Sequence, residues 1–559
     1  MNVTLSDFGG IVPRTSEHEL SRTAATIAHN VVLRNGRIES WRESCPFAEV
    51  ALSSHSFHVW GCCTLAWDEI VHAAEFDVDW DRLYITGHEN DAQVVTKSCE
   101  CVPSYTKLGV PTPITPPSAS GTENCSRASD ARSYVYTYVN KWGEEGAPSP
   151  ASNILTVEDG AVVTVSGIAF PPDGYDIKYA NIYRAATGFR DVDGKQQKPL
   201  TEYFFVGTIE FPTTTFTDSV LMAGLSMPLS THKYRMPPSG LRNICRPEGV
   251  ARLAGTVRNR VYLSENFQPH NWPVKYELTL EATIIHMKAL DQKLYVTTDT
   301  RPYVIDVSNC DDTKCTPVTD LGVALPDISC GHSSSAIITS HGMVYSSPLG
   351  VVLVDPTAKW NLLTRGFFSE RDWAQVKPET ARFGYYEGFL FIVTDAVSFV
   401  LDIDGDPYGD IRGGELTTIS DSPVDLKTSS TGKLFMLERG QVSAWDMGDT
   451  YRTYEWVSRE LVGKYSNPEA LTYQSQNMNK TPEGATWSPA SVKIRSDEVE
   501  FTLQTPVNKE AYVRRVIGER PFRLPRVGRH VWFKVKLRGT KPVEFVDLGT
   551  SHFTVNAGV

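Results

Sequence analysis

The stretch LDIDGDPYGD, 401–410, sets Asp402, Asp404, Asp406 and Asp410 at offsets of zero, two, four and eight. Calcium is a hard cation that collects several carboxylate and carbonyl oxygens around a tight loop, and alternating aspartates suit that chemistry. The competing reading is a solvated acidic turn, in which Asp, Gly and Pro serve the backbone rather than an ion. Calcium is the one cofactor for which the sequence offers ligands.

Other chemistry is thin. There is no G-x-S-x-G elbow, since GHSSS at 331–335 lacks the closing glycine. His18-Glu19 is followed by Leu-Ser-Arg rather than by the second histidine of a zinc helix, and no phosphate-cradling glycine loop occurs. The S-x-D-x-G-x-x-W boxes of sialidase propellers are missing as well. A carboxylate pair for glycoside cleavage leaves no linear signature, so a carbohydrate-cleaving site stays open. No catalytic residue is assigned, and the expectation is a protein that is not an enzyme.

Cys62-Cys63 and Cys99-x-Cys101 lack the spacing at which two thiolates share one zinc, which favours buried thiols. Cys310 and Cys315 bracket DDTK and are placed to close a small loop under oxidising conditions. Single histidines such as His286 read as structural.

Charge is unevenly spread. Between Lys509 and Lys541 eleven Lys and Arg stand against two Glu, a net +9, which leaves −21 for the rest of a chain whose total is −12. In VWFKVKLRG, Lys534, Lys536 and Arg538 fall on one strand face and Phe533, Val535 and Leu537 on the other. That basic face is either solvated, or paired with an acidic neighbouring subunit, or attracted to anionic sugars of a host's outer surface. The acidic total disfavours a general nucleic-acid binder and leaves open a protein that lets DNA pass, since a negative wall repels phosphate.

These residues need elements to hold them. QKLYVTTDTRPYVID, GMVYSSPLGVVLVD, GFLFIVTDAVSFVLD and GKLFMLERGQVSAWD repeat one hairpin, an apolar strand with a central aromatic and a second strand closing on Asp. Aligned on Tyr262, Tyr295, Tyr345, Phe391 and Phe435, the spacings are 33, 50, 46 and 44, and Tyr84 heads a further candidate. A period in the forties with alternating β-branched and aromatic residues predicts a β-propeller of about six blades.

The expected division is a leader over 1–45, first blade or blades over 46–109, an inserted fibronectin III-like or Ig-like sandwich with Pro-rich linkers over 110–235, the remaining blades over 236–455, and a C-terminal antiparallel β domain over 456–559. YTYVNKWGEEGAPSPAS followed by KYANIYRA resembles a fibronectin type III module. The opening residues carry neither a basic nor an apolar signal region, so folding in a cytosol is expected.

In the leader, Thr15 or Ser16 is placed to cap a short helix running to about Ala28, and Asn35-Gly36 to turn a hairpin. Phe8-Gly9-Gly10, Pro13-Arg14, Asn30, Leu33, Asn35-Gly36, Ile38 and Trp41 together resemble the start of tail nozzle proteins of short-tailed bacteriophages, the tail tubular protein B type. RVYLSENFQPHNWPVKYELTLEATIIHMKAL and FRLPRVGRHVWFKVKLRGT add scattered blocks of the same resemblance. The loop at 387–410 departs from it, being unusually acidic.

The resemblance implies a structural virion protein, assembled in the host cytoplasm. Six copies would form the distal ring of a tail, with the leader as a docking segment. Its partners would be a tail adaptor, tail fibre or needle proteins, and viral DNA crossing the lumen without sequence-specific binding. The alternative reading is a propeller that binds or cleaves cell-surface polysaccharide.

Overall fold

Short β-branched and aromatic runs broken by Gly, Asn and Asp turns leave little room for helix, and strands carry almost all the regular structure. The computed structural model describes residues 2–76, 81–89, 91–123, 129–187, 202–225, 227–310, 312–324, 334–404, 414–462 and 486–550. It divides into two units, one of residues 1–70, 299–302 and 317–559, the other of 71–298 and 303–316.

The fold is an all-β propeller type, built from four-stranded antiparallel blades. The second unit holds two of them and nearly all of a third. One runs His72–Glu75, Leu83–Thr86, Gln93–Lys97, Pro103–Lys107. The next runs Arg242–Cys245, Ala254–Val257, Arg260–Leu263, Leu278–Thr279. The third runs Ile284–Leu290, Lys293–Thr298, Pro302–Asp306, Lys314–Pro317. Their leading strands lie side by side in chain order.

Between the first two blades the chain inserts two sheets. One is ordered Ser118–Gly121, Val163–Ser166, Phe216–Asp218; the other Leu155–Glu158, Ser129–Asn140, Ile177–Thr187, Phe204–Glu210. Tyr134, Tyr136, Tyr138, Val157, Val165 and Ile182 fill the space between them, as expected of the inserted sandwich.

In the first unit Ala336–Thr339, Gly342–Ser347, Gly350–Val354 and Trp360–Leu362 make one blade, and Arg382–Tyr386, Phe389–Val393, Ser398–Asp402 and Leu416–Thr418 another. A third runs Asp425–Thr428, Leu434–Glu438, Gln441–Ala444 and then Cys45–Glu49, so its outer strand comes from the other end of the sequence. Ser56–Trp60 and Cys63–Trp67 form a two-stranded sheet beside it. The boundary expected at residue 46 is therefore corrected: the segment from 45 opens by finishing a blade begun at 425. Four-stranded blades number six among the described residues.

Tyr84, Tyr295, Tyr345, Phe391 and Phe435 all sit buried on the second strand of their blades. Tyr262 does not. It lies on the third strand, opposite Gly255 of the second, which is why its spacing of 33 is out of step with the rest.

The leader departs most from expectation. Residues 15–24 form turns, and Ala25–His29 is a strand rather than the end of a helix. This strand pairs antiparallel with Tyr454–Ser458 and parallel with Leu416–Thr418. It thereby joins the blade ending at Thr418 to the C-terminal strands Trp532–Gly539, Glu498–Gln504 and Tyr512–Ile517, giving one ten-stranded sheet. A short isolated helix is marginal, whereas as a strand ATIAH is paired at Ala25, Ile27, Ala28 and His29 on one side and at His29 on the other. Asn2–Leu5 pairs with Val543–Gly549, placing both ends of the described chain in one sheet. The C-terminal domain is antiparallel β as expected, but the leader supplies part of its core, including Leu5, Phe8, Ala25 and Ala28.

Val31–Val32 and Glu39–Ser40 form the expected hairpin, closed by a 3-10 turn at Arg34–Gly36 instead of a two-residue loop. Gly36 holds the left-handed conformation there, at φ +71°.

Candidate functional site

The leader residues singled out for docking are largely consumed inside their own chain. Phe8 is buried and meets Trp456 edge to face at 4.9 Å, and the Trp456 indole N–H donates to the Gly9 carbonyl at 3.1 Å. Gly10 runs so close to the blade that a Cβ there would stand 2.3 Å from the Leu416 carbonyl oxygen. Its N–H donates to Glu415, and Ile11 N–H to Leu416 O at 2.8 Å. Pro13 and Arg14 are exposed, with the Arg14 backbone N–H on Phe367 O at 2.7 Å and its guanidinium on Arg365 O at 3.1 Å. The expectation of a free docking motif is corrected: Phe8, Gly9 and Gly10 form an internal clasp, because only glycine lets the backbone reach the blade edge.

The acidic loop is read next to Arg34. Asp402, 4% exposed, accepts from Arg34 Nε at 3.2 Å and Nη2 at 3.1 Å. Its Oδ1 also accepts the Asp404 N–H at 3.1 Å. Arg34 Nη2 donates as well to Glu387 O at 2.8 Å, and its guanidinium lies 4.0 Å over the Phe389 ring. Asp404 Oδ1 is 2.5 Å from His341 Nε2. Asp406 and Asp410 lie outside the described residues. The half of the calcium candidate that is described does not fit a cation, since a guanidinium already occupies both oxygens of Asp402.

The basic strand is likewise paired at home. Lys534 Nζ lies 2.6 Å from Glu17 of the leader, and Lys536 Nζ 2.8 Å from Glu455. Arg538 stands opposite Glu455 and Glu500 in the two neighbouring strands. The acids that answer Lys534 and Lys536 belong to the leader and to the same sheet. Arg34 and Glu17 thus tie the leader to two features that the sequence presents as separate.

Cysteines depart from the buried-thiol expectation. Cys45, Cys62 and Cys99 are exposed, and Cys63 and Cys101 are disulfide-bonded. Cys310 and Cys315 are not disulfide-bonded, and the Cys310 thiol is directed to Val307 O at 3.2 Å, so no bridge closes the DDTK loop. His286 is buried in its strand, and burial with Lys288 nearby pulls its pKa down to about 3.

Two features escaped sequence reasoning. In the inserted sandwich Tyr134 and Arg184 both donate to buried Asp218, at 2.8 and 2.7 Å, while Asp130 accepts from Arg132 at 3.1 Å. Charged residues on strands ordinarily face solvent, so nothing in the pattern marks these as buried and mutually paired. A cleft of about 380 Å³ in the second unit is lined by Arg252, Asn266, Phe267, Gln292 and Asn309. Phe267 is 62% exposed there, at φ +55°. An adjoining cleft of about 440 Å³ adds Glu248, Asp291 and Asp306. The sequence offers only Phe267 between Asn266 and Gln268; its exposure and left-handed backbone are visible in the structure alone.

No family model and no curated protein matches the chain. Similar solved structures include the Pan2 WD40 domain of Neurospora crassa, at 11% identity over 68% of this chain and 90% of that one, with a TM-score of 0.28. A streptogramin B lyase matches at 9% over 67% and 92%, TM-score 0.27. Sqt1 of Saccharomyces cerevisiae matches at 10% over 67% and 95%, TM-score 0.26. Likenesses this remote carry no functional argument, and the propeller assignment stands on the strand order.

Proposed function

We propose that the chain is a structural subunit of a short phage tail, one of six copies in a distal ring that extends the DNA ejection channel. The observation that carries this reading is the clasp. The leader strand Ala25–His29 splices a blade to the C-terminal domain in a single ten-stranded sheet, and both ends of the described chain pair in the sheet packed on it. A subunit that must hold shape while a genome passes gains from hydrogen-bond ladders that fail only together. The acidic total of −12 suits a lumen that repels phosphate, and the leader motif and its order in the chain support the same family.

Contacts with an adaptor above and with fibre or needle proteins below belong to this reading. Phe8, Gly9 and Gly10 do not supply them. The test is electron microscopy of the purified full chain. Rings with an open axial channel support the proposal, and solitary particles under all conditions reject it.

A second reading draws on the cleft at Phe267. An exposed aromatic beside two asparagines, a glutamine and an arginine is a surface suited to stacking and hydrogen bonding a sugar ring. Binding of surface polysaccharides, measured for the chain and for Phe267→Ala, distinguishes it: saturable binding lost in the variant favours this reading, and no binding removes it.

A further inference from the structure

The last strand of the ten-stranded sheet, Tyr512–Ile517, pairs with Glu498–Gln504 on one side and with no strand among the described residues on the other. Open edges of this kind template pairing with another chain unless charge or a bulge blocks them. Here the strand alternates. Val516 is buried, Tyr512 is half-buried, and Arg514 folds over the Phe522 ring at 4.4 Å. The opposite face presents Val513, Arg515 and Ile517, with Val513 47% and Ile517 70% exposed. Arg520, Arg523, Arg526 and Arg529 follow, all exposed, and none makes an ion pair among the described residues. This contrasts with Lys534 and Lys536, whose carboxylate partners are internal.

We infer that the Tyr512–Ile517 edge with the arginines at 520–529 is the surface that docks a second copy of this chain. Two observations select that occupant. Residues 509–541 carry a net +9 and a second copy offers a net −21 outside them, so the complement is supplied by the chain itself. The outward face also sets Arg515, whose charge is met by Glu498 of the neighbouring strand, between two apolar side chains along an open ladder edge. A protein strand or loop satisfies such a surface with backbone hydrogen bonds and apolar contact, whereas a phosphate or sulfate polymer would leave Val513 and Ile517 in water. A contact between a basic edge and an acidic surface elsewhere on the molecule is head-to-tail, the type that closes into a ring when its rotation permits. The inference rests on the proposed ring and names one of its contact surfaces.

Sedimentation velocity of the full chain at low and high salt tests it, with two variants, Ile517→Glu/Arg520→Glu and Arg526→Glu/Arg529→Glu. All four residues are exposed, so melting curves should match the parent; the second variant lies outside the strand and serves if the first fails to fold. The expected result is an assembly that weakens with salt and whose association drops at least about tenfold in each variant. Variants that assemble like the parent overturn the inference while leaving the ring intact. Variants that assemble normally yet lose retention on heparin overturn it in favour of a polyanion. A parent that stays monomeric at every concentration overturns both the inference and the ring.

Discussion

Arg34 and Asp402 show how a residue with an apparent ligand role can be committed to its own fold. Truncating Arg34 to Ala strands a carboxylate whose side chain is 6% exposed, and the expected cost is about 2–3 kcal/mol in denaturant unfolding. Adding Asp402→Asn to that variant should recover part of the loss, because the uncompensated charge is gone. Millimolar calcium should leave the melting temperature unchanged; a rise of several degrees would restore the ion site rejected above. His286 sets a pH dependence of definite sign. Its folded pKa is about 3 against an ordinary 6.5, so the ring stays neutral in the fold while the unfolded chain protonates. That contribution is whole above 6.5 and is lost as pH falls towards 3. Replacing His286 with Gln should flatten the decline in urea midpoint between neutral pH and about pH 4; an unaltered decline would assign acid sensitivity elsewhere.

At the scale of elements, the leader is the part to perturb. Gly10→Ala sets a Cβ against the Leu416 carbonyl, and the expected destabilisation is about 1–3 kcal/mol. Hydrogen exchange should report it locally. Amides of Ala25–His29, Leu416–Thr418 and Tyr454–Ser458 should lose protection together, while those of Lys293–Thr298 in the other unit keep theirs. Separate loss in the three strands would mean that the ladder is not one cooperative element. These elements also mark how far the sequence could be read. Strands such as Phe389–Val393 and Leu434–Glu438 announce themselves, since each is a short apolar run with an aromatic between turn residues. ATIAH carries no such mark. Its conformation is decided by partners hundreds of residues away, which the capping residues Thr15 and Ser16 do not disclose. The same holds for Arg34, whose carboxylate lies 368 positions along the chain. Period two sets Lys534, Lys536 and Arg538 on one face, but register with Glu455 and Glu500 is tertiary information.

For the molecule as a whole, the repeated hairpin answers a structural need. A four-stranded blade has two faces to cover, and neighbouring blades cover them, as Ala336–Thr339, Arg382–Tyr386 and Asp425–Thr428 do in succession. The last of these blades takes its outer strand from Cys45–Glu49, and the C-terminal domain takes part of its core from the leader, so the first unit is sealed twice by residues from its start. Such a body is suited to transmit load. Native mass spectrometry of the full chain measures most directly whether it is used that way. The expected spectrum shows one closed, salt-sensitive stoichiometry of the 62.1 kDa subunit, six by family resemblance, without an open-ended ladder of species. A spectrum showing the lone subunit at every concentration, or an unlimited series of oligomers, would contradict it.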